Sequence, residues 1–246
     1  MPDRPGLFSQ PVRAAVVGAG GGIGGAFVRH IAAKRPAALW ALSRRKPDSL
    51  PPAARWLPVD ILDEDSIADA AGAMGDSPLD LVIVATGILH APDMAPEKTM
   101  RALTADALAR AYAVNAIGPA LVAKHMLPRL ARDRTSVFAA LSARVGSISD
   151  NRLGGWHAYR ASKAALNQLI RTLSVELAMK NKQAICVGLH PGTVDTGLSD
   201  PFQSRVPEGK LFTPDFAAEK LLAVLTGLTS RDSGRLFAWD GAEIAP

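Results

Sequence analysis

The chain has 246 residues, 48% of them hydrophobic and 21% charged, with 21 glycines and one cysteine, Cys186. This balance suits one or two compact domains and excludes a disordered chain, and the lone cysteine excludes an intrachain disulfide or a cysteine-rich metal site. The net charge of +5 comes from scattered basic residues beside only 5% aromatics, which argues against a nucleic-acid surface and for attraction of an anionic small molecule.

The leader MPDRPGLFSQPVRAAVVG lacks the apolar stretch of a secretion signal, and no window reaches the ~20 apolar residues of a membrane span, so a cytoplasmic location is expected. RAAVVG (13–18) predicts a first strand, and AFVRHIAAK, with apolar residues at helical spacing, predicts the first helix. AALWALS (37–43) and WLPVD (56–60) follow as strands, then DEDSIADAAGAM as a helix capped by Asp63. LDLVIVATG (79–87) is a continuous apolar run, the pattern of a strand covered on both faces. Thr104 is placed to cap a long helix through ADALARAYAVNAIGPALVAKHMLPRL, interrupted at Gly118-Pro119.

TSVFAALS (135–142) predicts another strand, and the helix containing HAYRASKAALNQL comes after a polar loop. AICVGLH (184–190) is a strand that buries Cys186 as a small hydrophobe and stops at Pro191-Gly192. Thr213, Pro214 and Asp215 open a last helix, and GRLFAWDG closes the chain as a final strand. Strands alternating with helices throughout predict an α/β fold: one Rossmann-type domain over 1–246, a doubly wound parallel sheet of about seven strands with helices on both faces.

VVGAGGGIGGAF places glycines at 18, 20, 21, 22, 24 and 25 between the first strand and helix. A dinucleotide pyrophosphate needs this: a tight turn, no Cβ to block approach, and free amides at a positive helix end. The second strand ends in ALSRRK, so Ser43, Arg44 and Arg45 offer a hydroxyl and two cations where NAD-binding chains carry a carboxylate, which favours NADP(H).

Tyr159 and Lys163, four residues apart, share one helix face. A free tyrosine titrates near ~10, and bringing it toward neutrality needs on the order of 4 kcal/mol in favour of the phenolate. A partly desolvated lysine ~4 Å away can supply much of that, so Lys163 is expected to lower the Tyr159 pKa.

The glycine turn, the Tyr-x-x-x-Lys pair and a Pro-Gly turn after a late strand, in that order, resemble the short-chain dehydrogenase/reductase family over essentially the whole chain. VGSISDNRLGGWHAYRASKAALN and LHPGTVDT resemble its sniffer and C-factor-like carbonyl-reductase branch. The resemblance implies cofactor contacts from Gly18, Gly22, Ile23, Gly24, Ser43, Arg44, Asp60, Gly87, Tyr159 and Lys163. From the loop under the nicotinamide it adds Pro191, Gly192, Val194 and Thr196. It implies catalytic roles for Asn115, Tyr159 and Lys163, the asparagine opening its helix locally.

Two departures stand out. Val84 and Ala85 replace the family's paired asparagines before Gly87, and Ala143 falls where the second serine of a Ser-Ser pair is usual. The serine role then goes to Ser142, favoured here, or to Ser147. Histidines 30, 90, 125, 157 and 190 lack ligand spacing, so no metal is expected. Residues 193–212 read as a substrate lid, whose Phe202, Val206, Leu211 and Phe212 either point to a small apolar substrate or serve as packing residues.

The expected function is therefore NADPH-dependent hydride transfer to a carbonyl carbon, or its reverse, with Tyr159 as proton donor or acceptor. The alternative is an NADP(H)-binding regulatory protein of the same fold with little turnover. The expected partners are a small carbonyl or alcohol substrate and further copies of the chain, as a homodimer or homotetramer.

Overall fold

The computed structural model describes residues 7–246, so part of the polar leader, residues 1–6, lies outside the described residues. In chain order the first half runs β1 (Arg13–Val17), α1 (Gly22–Ala33), β2 (Ala38–Ser43), β3 (Ala54–Pro58), α2 (Glu64–Ala73), β4 (Leu81–Val84), α3 (Ala105–Tyr112) and α4 (Gly118–Met126). The second half adds β5 (Ser136–Leu141), α5 (His157–Lys180), β6 (Ala184–His190), β7 (Thr193–Val194), β8 (Leu211–Phe212), α6 (Pro214–Gly227), β9 (Leu236–Ala238) and β10 (Glu243–Ile244).

The main sheet has the order β10-β9-β6-β5-β4-β1-β2-β3 and is parallel except for β10, which runs antiparallel to β9. It thus holds eight strands where about seven were expected: a two-residue return after the final predicted strand is too short to show as a pattern. The parallel pair β7 and β8 stands apart from this sheet and ties the two ends of the 193–212 segment together.

Side chains of neighbouring strand residues point to opposite faces, and the core is divided accordingly. Ala14, Val16, Leu81 and Ile83 pack with Phe27 and Ile31 of α1 and Leu221 and Leu225 of α6. Ala15, Val17, Val82 and Val84 pack with Ile67 of α2, Val122 and Met126 of α4, and Leu166 and Ile170 of α5. The continuous apolar runs of β1 and β4 are explained by this double cover.

The caps follow local chemistry. Asp63 accepts from the amides of Asp65 and Ser66, Thr104 from Ala107, and Thr213 from Phe216. The long helix breaks at Asn115, where the resemblance implies a local opening, and just ahead of Gly118-Pro119: a π-helical segment over Ala113–Ile117 joins α3 to α4. No helix of the described residues is long and apolar enough to cross a membrane.

Candidate active site

The chain winds outward in opposite directions from β1 and β4, so the carboxyl ends of these two neighbours flank the crevice where open α/β sheets bind ligands. The glycine turn sits there. Gly18 takes φ +87°, and its amide donates to the Leu42 carbonyl at 2.8 Å. A Cβ on Gly24 would collide with the Gly18 carbonyl oxygen, so only glycine lets α1 close onto the turn.

Gly20, Gly21 and Gly22 are exposed, Gly21 caps α1 with no side-chain hydrogen bond, and the first turn holds no acid. The free amides and the positive helix end therefore fit a pyrophosphate. Ile23, the next residue, is half-buried against the core.

A Cβ on Gly20 would lie 3.6 Å from that of Ser43, so the turn adjoins the end of β2. Arg44 and Arg45 are exposed there. The Ser43 hydroxyl is turned inward, donating to the Arg45 carbonyl at 2.7 Å and accepting from Trp56 Nε1 at 3.2 Å. Asp60, between β3 and α2, accepts from the Leu62 amide at 3.0 Å.

Tyr159 and Lys163 lie on α5 with only 9% and 3% of their surface exposed. Lys163 Nζ donates to the Leu141 carbonyl at 2.8 Å and stands 5.8 Å from the Tyr159 ring centre. Asn115 is fully buried in the π-helical segment. Its Oδ1 accepts from the Ile88 amide at 2.8 Å, and its Nδ2 donates to the Ile88 carbonyl at 2.8 Å and to Ser162 Oγ at 3.0 Å. Gly87 is where these groups meet: a Cβ there would lie 3.5 Å from Asn115 Oδ1 and 3.7 Å from Lys163 Nζ.

The electrostatics depart from the expected tuning. Burial pushes Tyr159 up to about 12 and Lys163 down to about 7. With both groups desolvated, the loss of water outweighs the attraction that was expected to lower the tyrosine. His190, at the end of β6, is pushed down to about 4 by burial and then by Arg144.

Both candidate serines are buried and engaged. Ser142 Oγ donates to Asn167 Oδ1 at 2.6 Å, while Ala143 joins Leu89 and Tyr159 in one apolar cluster. Ser147 Oγ accepts from the Asp150 amide at 3.2 Å and lies 3.5 Å from Ser149 Oγ. Ala143 thus packs beside Tyr159, and each of the two serine hydroxyls has a partner of its own.

Gly192 takes φ +78° between Pro191 and Thr193, and a Cβ there would stand 2.6 Å from the Phe212 ring. Val194 is buried and Thr196 Oγ1 donates to its carbonyl at 3.4 Å. Of the expected lid residues, Phe202 reaches the Tyr159 cluster. Phe212 instead packs 4.6 Å from Trp239 and 4.7 Å from Phe216, a structural role. Leu211 is 38% exposed, and the Val206 amide donates to the Gln203 carbonyl.

Three side chains near Tyr159 were not foreseen. The Trp156 ring stands 6.3 Å from Tyr159 and 5.1 Å from Phe202, and His90, 6.0 Å from Phe202, has its Nε2 2.8 Å from the Gly197 carbonyl. Glu97 approaches from the loop before α3, with no local motif to announce it.

A parallel sheet with a glycine turn at its switch point and a buried tyrosine-lysine pair facing it defines an oxidoreductase-type Rossmann domain. Residues 13–206 match the family model for short chain dehydrogenase, and the chain belongs to that family of oxidoreductases. It is 37% identical over 137 residues to the C-signal protein of Myxococcus xanthus, covering 56% of this chain and 77% of that one. The NADPH-bound carbonyl reductase from chicken fatty liver superposes with a TM-score of 0.81 at 29% identity, covering 96% of this chain and all, 100%, of that one. The fold is shared as well with the carbonyl reductase Sniffer of D. melanogaster, at TM-score 0.82 and 23% identity over 96% of this chain and 100% of the other.

Proposed function

We propose that the protein is an NADPH-dependent carbonyl reductase, also able to run as an alcohol dehydrogenase, acting on a small apolar substrate. The observation that carries this reading is the burial of Tyr159 beside Lys163 and Asn115 where Gly87 approaches them. The cofactor is read as NADP(H) from Arg44 and Arg45 at the end of β2, a reading supported by the NADPH-bound carbonyl reductase similar to this chain.

When bound, the cofactor supplies the hydride. Tyr159, held protonated by burial, gives its proton to the developing alkoxide oxygen. Lys163, fixed on the Leu141 carbonyl, offers its remaining donor capacity to the nicotinamide ribose and, when protonated, stabilises the phenolate left as Tyr159 gives up its proton. Asn115 holds the backbone at Ile88, and Gly18, Gly22 and Gly24 shape the phosphate turn. Segment 193–212 serves as the lid, and Leu89, Ala143, Val145, Trp156, Leu198 and Phe202 give the space over Tyr159 its apolar walls.

We place the protein in the cytoplasm, as a dimer or tetramer of the α4 and α5 face, where Ile117, Val175 and Met179 are exposed by 52%, 53% and 74%. A second reading, a cofactor-binding regulatory protein with little turnover, draws on Ala143 in the Tyr159 cluster and on Ser142 bonded to Asn167. NADPH oxidation with a panel of aldehydes and ketones separates the two. Turnover that falls about 100-fold or more in Tyr159→Phe supports reduction, and tight NADPH binding without turnover on any substrate supports the regulatory reading.

A further inference from the structure

We propose that Glu97 is a positioning residue for Tyr159, acting through the first turn of α5. This inference rests on the reading of Tyr159 as proton donor. Helix α5 begins without any of the usual local devices. Its N-cap, Trp156, makes no side-chain capping bond, and its first turn has no acid. Trp156 also sits at φ 52°, ψ 44°, a left-handed conformation that bulky side chains rarely adopt without outside restraint.

Glu97 supplies what is missing from 61 residues away. Its Oε2 accepts from the Ala158 amide at 3.2 Å, and its backbone carbonyl accepts from the Trp156 amide at 2.5 Å. The side chain is buried, 3% exposed, and Oε1 has no partner among the described residues. The carboxylate has no ion-pair partner among the described residues, and its one side-chain bond is to the helix start, where a negative charge is favoured.

The same segment is tied at its other end. Asn115 pins Ile88, Leu89 packs against Tyr159, and Ala91 and Met94 close a turn with bonds of 2.8 and 3.0 Å. Residues 88–97 thus form a strap across Tyr159, fixed at both ends by a buried polar side chain, Asn115 and Glu97. Its Glu97 end holds the Trp156 and Ala158 amides, and so fixes the turn that aims the Trp156 ring and the phenol of Tyr159, the residue after Ala158.

The test uses the full chain with NADPH and an aromatic aldehyde, comparing wild type, Glu97→Ala and Glu97→Gln. Glu97→Ala is expected to lower kcat about 10-fold or more, as small misplacements of a proton donor do, while NADPH affinity stays unchanged. Glu97→Gln, whose amide oxygen accepts the same N–H, is expected to recover most of kcat. Unchanged kcat in Glu97→Ala, or no recovery in Glu97→Gln, overturns the proposal. Should Glu97→Ala fail to fold, Glu97→Asp, one methylene short, carries the same expectation.

Hydrogen exchange over residues 156–163 is measured alongside. Faster exchange confined to that turn in Glu97→Ala supports the clamp, and unchanged exchange refutes it. Absence of turnover in the wild type would sink the reductase reading instead, and exchange alone would then decide the clamp.

Discussion

Asn115 and Ile88, 27 residues apart, exchange two hydrogen bonds of 2.8 Å each, so one side chain satisfies both backbone polar groups of the residue after Gly87. The helix around Asn115 widens into its π-helical segment where this side chain leans out to the loop. The first prediction follows from removing that side chain. Asn115→Ala leaves the half-buried Ile88 N–H and C=O without this partner, at a cost of about 1–2 kcal/mol in folding stability. Denaturant unfolding reads the loss directly, and kcat should fall with it; an unfolding midpoint equal to wild type would contradict the pinning role.

The second prediction concerns pH. Lys163 binds fewer protons folded than unfolded between about 7 and its ordinary 10.5. Stability from this group is therefore lowest below pH 7 and rises toward pH 10.5, by up to about 1.4 kcal/mol per pH unit. Tyr159 has the opposite sign: its folded pKa of about 12 lies above its ordinary 10.0, so stability is lost as pH rises from 10 to 12. Thermal melts of the cofactor-free chain should show the rise over pH 7–10, and Lys163→Met should flatten it. The rates should divide too. Carbonyl reduction needs the protonated phenol and should hold up to alkaline pH, whereas alcohol oxidation needs the phenolate and should climb with pH.

Serine replacements give the third prediction. Because Ser142 is engaged by Asn167 and Ser147 by the Asp150 amide, alanine at either position should change kcat less than about threefold. Ala143→Ser, which adds a donor inside the Tyr159 cluster, should raise turnover on unactivated ketones by about tenfold, the scale of one added hydrogen bond to the developing oxyanion. Steady-state kinetics on the three variants decide this, and a large loss in Ser142→Ala would restore that residue to the mechanism.

The fourth prediction addresses cofactor choice. Arg44 is exposed at the end of β2, beside the glycine turn. Arg44→Ala should weaken NADPH by about tenfold, ~1.4 kcal/mol, with little effect on NADH, since only the former offers a 2′-phosphate. Fluorescence titration of both cofactors measures it, and equal losses would reject the assignment.

Much of this arrangement was legible in the chain because it depends on neighbours in sequence. Asp63, Thr104 and Thr213 cap the helices they precede with amides two or three residues on. The glycine turn and the Tyr159-Lys163 spacing are likewise local. What escaped was nonlocal or environmental. The partner of Asn115, the distant Ile88, the contact of Glu97 with the start of α5 and the two-residue β10 left no local pattern. The upward push of burial on Tyr159 was likewise hidden, because spacing shows the lysine but not the depth of burial.

Gly22 touches more than its own turn. A Cβ there would come within 2.7 Å of the Thr196 methyl, and Arg29 of α1 is paired with Asp215 of α6 at 2.9 Å. The surface that would receive the phosphates is therefore also a wall of the 193–212 segment. Occupying the first would brace the second, and the expected outcome, if that segment covers the substrate as proposed, is ordered addition with nucleotide first on and last off. Product-inhibition patterns would carry the signature of that sequence, competitive for the two nucleotides and mixed for every other pair.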